Sequence, residues 1–146
     1  MAGKTWTNRG LKRLTIDGDL DTATLTIGAA KGSAPTVATI RDYNVVADLL
    51  GAVTEAAAAN YARANVGAVT FSEDDTNDRV LIDYPASASL GTAVAAGETW
   101  TVVFCYAAGA SDAVRDLIWV DVLGTPLATN GSNVVYSLAD DTVTAP

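Results

Sequence analysis

Two acidic strings hold the side chains best suited to chemistry. Glu73-Asp74-Asp75-Thr76-Asn77-Asp78 groups four carboxylates within six positions, and Asp17-Gly18-Asp19-Leu20-Asp21 alternates three more. Hard cations such as calcium take several carboxylate and carbonyl oxygens from one tight loop, so the first string is a candidate calcium site. It lacks the central glycine and the downstream bidentate glutamate of an EF-hand. The alternative is a solvated hairpin tip whose Asp and Asn side chains bond back to their own backbone. A turn before a strand accounts equally for the second string. No metal ligand is assigned from either. The chain has no histidine, which removes the Ser-His-Asp and Cys-His nucleophile pairs and the usual zinc ligands. Its one cysteine, Cys105, leaves no internal disulfide and no CxxC pair, and reads as a small buried hydrophobe. Glycine-rich phosphate cradles are missing, and no cofactor is implied.

Charge is distributed unevenly. Lys4, Arg9, Lys12 and Arg13 crowd the first thirteen residues ahead of any acidic residue, although the chain as a whole carries a formal charge of −8. A body this acidic repels nucleic acid. The basic segment, taken as an arm over 1–16, has two readings: a clamp laid on an acidic neighbouring subunit, or a solvated terminus. Trp6 and Leu11 favour the clamp, since a solvated tail gains nothing from large apolar groups. The opening residues contain no apolar signal-peptide core. The longest apolar run, Val102 to Ala110, falls well short of the ~20 residues that span a bilayer, so no membrane partner is expected.

The elements that must position these residues are mostly strands. Thr22 to Gly28 alternates hydroxyl and apolar residues, as a half-buried antiparallel strand does. Thr36 to Arg41 reads as a short strand. Asp42 to Val53 reads as a helix from Val45, Val46, Leu49, Leu50 and Val53, with Asp42 or Asn44 as its N-cap and the alanines at 56–59 in a loop beyond it. The spacing predicts a strand from Tyr61 to Phe71, then a hairpin whose tip is the acidic string and whose second strand is Arg79 to Tyr84. A strand from Glu98 to Tyr106 places Trp100, Val102, Phe104 and Tyr106 on one face. Leu117 to Leu123 sets Ile118, Val120 and Val122 against Leu117, Trp119 and Leu123. Being apolar on both faces, it must be covered twice, by a second sheet on one side and by the helix or another subunit on the other. A last strand, Asn133 to Leu138, precedes a polar tail. The whole reads as a mainly β single domain over 17–146, an antiparallel β-sandwich or small jelly-roll-like barrel with one short helix and an N-terminal arm.

The strings Lys4 to Arg13, Tyr61-Ala62-Arg63 and Ser72 to Arg79, followed by a strand with Asp83, resemble small virion structural proteins of tailed bacteriophages. Within that group a compact β-domain with a charged arm is similar to the capsid decoration, or cement, proteins. The resemblance implies a non-enzymatic protein made in the host cytoplasm and seated on the outer capsid surface of the virion. It also implies a homotrimer that bridges capsomers of the major capsid protein. In that role the expected capsid or subunit interface comprises Lys4, Trp6, Arg9, Leu11, Lys12 and Arg13 of the arm with Leu117, Trp119 and Leu123 of the late strand. Two alternatives are a tail, neck or head-fibre component recognising host glycan or a partner protein through exposed aromatics such as Trp6 and Tyr84, and a calcium-dependent enzyme or adhesion domain built on the acidic loops.

Overall fold

A computed structural model describes residues 3–14, 18, 20, 23–77 and 79–144. The carboxylates Asp17, Asp19, Asp21 and Asp78, the expected strand start at Thr22 and the expected domain boundary at 16/17 lie outside the described residues. The fold is mainly β and antiparallel, a β-sandwich-like domain with three short helices among the described residues. Its central sheet has the order β1 (Gly3–Trp6), β9 (Leu117–Ala128), β8 (Thr99–Ala107), β2 (Leu25–Lys31) and β3 (Thr54–Glu55), with β4 (Ala64–Asn65) also pairing with β2. Two small sheets complete the strands among the described residues. One pairs β10 (Val134–Ser137) with β7 (Ser87–Gly91), and the other runs β11 (Asp141–Thr144), β6 (Arg79–Asp83), β5 (Thr70–Asp74).

The central sheet is covered on both faces by the chain itself. Against one face the small sheets bring Ile82, Leu90 and Val134 onto Ile27, Trp100, Cys105 and Trp119. Against the other, α2 (Val37–Asp42) and α3 (Val46–Leu50) bring Ile40, Val46 and Leu49 onto Val102, Phe104, Leu117 and Val120. Trp100, Trp119 and Phe104 are among the largest fully buried side chains, and truncating any one to alanine would cost about 3–5 kcal/mol. Gly28 on β2 is required by this packing. A Cβ there would lie 2.6 Å from the Phe104 ring.

Several expectations need correction. Thr36 to Arg41 is no strand: the Thr36 hydroxyl accepts from the Thr39 N–H at 3.3 Å and caps α2. The helix expected over 42–53 shrinks to α3. Its entry is fixed by the Asp48 carboxylate, which accepts from the Asn44 and Val45 N–H groups at 2.8 and 3.1 Å, so neither Asp42 nor Asn44 is the N-cap. The strand expected over 61–71 is interrupted, leaving β4 and β5. The region between Pro85 and Glu98 contains β7, and the polar tail contributes β11, which pairs with β6. Two bulges reassign faces. One between Trp100 and Val102 turns Trp100 toward Val103 and Cys105, away from Val102, Phe104 and Tyr106. The other, opposite Cys105 and Tyr106, puts Ile118 with Trp119 and leaves Leu117 with Val120 and Val122.

Candidate functional site

The basic N-terminal segment is built into the domain. β1 pairs antiparallel with β9 from Gly3↔Val122 to Trp6↔Trp119, and α1 (Asn8–Lys12) follows directly. Thr7 joins the two. Its N–H donates to the Ile118 carbonyl at 3.0 Å, its hydroxyl donates to the Leu117 carbonyl, and the same oxygen accepts from the Gly10 N–H at 2.9 Å as the N-cap of α1. Gly10 lets the helix sit on β9, because a Cβ there would lie 2.3 Å from the Ile118 carbonyl oxygen.

The charges of this segment find acids in the same chain. Lys4 Nζ lies 2.8 Å from Asp141, donates to the Ala139 carbonyl at 3.0 Å, and stands 4.6 and 4.9 Å from the ring centres of Tyr84 and Trp119. Trp6 Nε1 donates to the same Asp141 carboxylate at 3.2 Å. Arg9 reaches both oxygens of Asp116 at 2.9 and 3.2 Å, and Arg13 adds a contact to it at 3.3 Å. The expected arm, whether clamp or solvated tail, is thus an edge strand and a helix fastened by Asp141 and Asp116, a correction for Lys4, Arg9 and Arg13. Lys12 is exposed, and Trp6 and Leu11 are half-buried.

The late strand also differs from expectation. Leu117 and Trp119 are both 0 % exposed. The helices cover Leu117, while Trp119 lies under the small sheets with its Nε1 donating to the Tyr84 hydroxyl at 3.1 Å. Neither offers surface to another subunit. Leu123 is half-buried against the Trp119 side.

What the basic segment leaves open is a groove along β1. Its volume is about 570 Å³, and Trp6, Leu11, Val37, Arg41 and Val143 are among its lining residues. β1, α1, α2 and β11 frame it. Arg41 is exposed at its rim. Sequence reasoning passed over Arg41 because the segment around it was read as a strand.

The remaining strong polar groups fasten loops. The Arg63 guanidinium contacts Glu55 at 2.6 and 2.8 Å and Asp112 at 2.6 and 2.8 Å, with its centre 5.6 and 5.2 Å from the Phe104 and Tyr106 rings. Its hydrogen bonds hold the Asp112 carboxyl down at about 2, with a further contribution from Arg115. At Glu98 desolvation acts upward, but the Lys31 ammonium, the Trp100 indole N–H and the Ala57 N–H together bring the carboxyl down to about 2. Burial pushes the Cys105 thiol well up, away from thiolate chemistry. At the hairpin tip Asp74 accepts from Arg79 at 2.7 Å and from Asn77 at 2.9 Å, so its side chain bonds back within the turn. No group of three or more metal-ligating side chains converges among the described residues. Trp100, Trp119 and Tyr84 are buried, which removes them from any stacking platform. Compared with protein-family models, curated proteins and solved structures, the chain shows no match.

Proposed function

We propose that this chain is a non-enzymatic virion structural protein of a tailed bacteriophage, a decoration or cement protein that assembles as a homotrimer on the outer capsid surface and bridges capsomers of the major capsid protein. The observation that carries the reading is where the resemblance strings fall. Lys4 to Arg13 forms β1 and α1 with their fastenings to Asp116 and Asp141, Tyr61 and Arg63 tie β2, β3 and the 108–116 loop together, and Asp74 with Arg79 closes the hairpin. The strings on which the reading rests are thus ones that make the body rigid. A rigid body that binds only the assembled shell stabilises it by mass action and needs no chemistry of its own.

The test is cosedimentation of the purified chain with expanded, undecorated shells of the phage that encodes it, followed by heating of the decorated shells. Saturable binding and a higher disruption temperature are expected. No binding at micromolar concentrations overturns the reading. Because the basic segment belongs to the sheet, deleting it would test folding instead of attachment, so Arg41→Glu and Lys12→Glu are the informative variants.

A further inference from the structure

The central sheet ends at β1 and the three-stranded sheet ends at β5; among the described residues neither strand has a second strand partner. Free edges offer unpaired N–H and C=O groups and are ordinarily blunted or covered. These two are close in length, four residues in β1 and five in β5. Their surroundings are opposite in charge. The β1 edge opens on the groove of about 570 Å³, with Trp6, Leu11, Val37 and Val143 supplying apolar surface and Arg41 exposed at the rim. Arg41 makes no ion pair among the described residues. On β5 and its turn, Glu73 and Asp75 are exposed and likewise make no ion pair among the described residues, since Arg79 is taken by Asp74.

We propose that the acidic edge of β5 from a second copy of this chain docks in the groove beside β1, continuing the central sheet across the boundary and joining copies head to tail. The occupant is a second copy because this molecule carries both complementary halves. In a chain of net charge −8, bodies repel except where an acidic edge meets the basic rim, and that fixes which surfaces meet. Main-chain pairing along the two edges supplies affinity, and Glu73 and Asp75 of the incoming edge meet Arg41 at the groove rim. Each copy donates one surface and accepts through another, so the contact is heterologous and closes into a ring if the rotation between copies allows. This deepens the proposed function by naming the contact through which the decoration protein would self-associate.

The experiment is sedimentation velocity over a concentration series at low and high salt, on the full chain and on Arg41→Glu, Glu73→Lys and the double variant. Both positions are exposed, and circular dichroism with thermal melting checks that each variant folds. The wild-type chain is expected to assemble, less so at high salt. Each single reversal should weaken assembly at least tenfold, and the double variant, self-complementary at every contact, should restore it. A wild-type chain that stays monomeric at every concentration overturns the proposal, as does assembly that neither reversal weakens. Weakening that is not restored places the contact elsewhere and also overturns it. A monomeric chain that still cosediments with shells overturns this docking and leaves the decoration role standing. Assembly with the expected charge dependence, but without shell binding, supports the docking and overturns the role.

Discussion

Replacing Gly10 with alanine separates a docked N-terminal segment from a free arm, because two effects of opposite sign compete. Gly10 lies in α1, and intrinsic helix propensity favours alanine over glycine by about 1 kcal/mol. An added methyl would meet backbone atoms of β9, with the Ile118 carbonyl oxygen at 2.3 Å and its carbonyl carbon and Cα at 2.9 Å. Backbone in a central strand cannot move aside as a flexible side chain can. The helix must lift instead, straining the Thr7 N–H bond to Ile118 at 3.0 Å and the Arg9 contact with Asp116 at 2.9 Å. Overpacking of this kind costs about 1–3 kcal/mol and sometimes more, and a contact this short belongs at the upper end. Allowing for the propensity gain, the net loss is about 2 kcal/mol. For a chain of this size that lowers Tm by about 4–8 °C. Gly51 is the internal control. It ends α3 with φ −72°, and a Cβ there would sit 3.4 Å from its nearest neighbour, an ordinary contact. Gly51→Ala should be neutral or stabilise by about 0.4–1 kcal/mol. Differential scanning calorimetry of the two variants beside the parent reads the contrast directly. If Gly10→Ala melts at or above the parent temperature, α1 is not seated on β9 in solution and the placement of the whole basic segment is wrong.

Three further outcomes follow from the same geometry. Tyr84→Phe removes the acceptor of the buried Trp119 indole N–H and should cost about 1–3 kcal/mol in chemical denaturation, whereas an unchanged midpoint would mean that this hydrogen bond is not formed. Glu98 and Asp112 titrate at about 2 in the folded chain, against ordinary values of 4.5 and 3.8, so their contribution is present above the ordinary values and is lost as pH falls toward about 2. Stability should therefore decline between about pH 4.5 and 2, and Glu98→Gln should make that decline shallower; an unaltered slope in the variant refutes the assignment. Cys105 is fully buried with its thiol pushed up, so a thiol reagent should label the native chain only at the rate at which it opens, and prompt labelling of folded protein would contradict that burial.

Alternation and composition were enough to identify a mainly β chain, the two long central strands, the hairpin of β5 and β6, and a helix around Val46 and Leu49. These depend on local periodicity, which each segment carries by itself. They were also enough to show that the Leu117 to Leu123 strand needs cover on both faces. What supplies that cover depends on residues far away in the chain, and only the tertiary structure decided that α2 and α3 lie on one side and the small sheets on the other. The same holds for the basic segment. Lys4 and Asp141 are 137 positions apart and Arg9 and Asp116 are 107 apart, so nothing local reveals that these charges neutralise one another inside one domain. Register breaks are equally invisible to a strict two-residue period: between the pairs Trp100↔Leu127 and Val102↔Val122 the partner strand β9 carries the extra residues, and Trp100 falls on the other face from Val102. The polar tail became β11 for a related reason, since the edge of β6 provides a hydrogen-bonding template that an isolated Asp-Thr-Val-Thr does not announce. Local sequence decides which segments are extended and which face is apolar, whereas partners, register and charge pairing arise only when distant segments compete for the same edge.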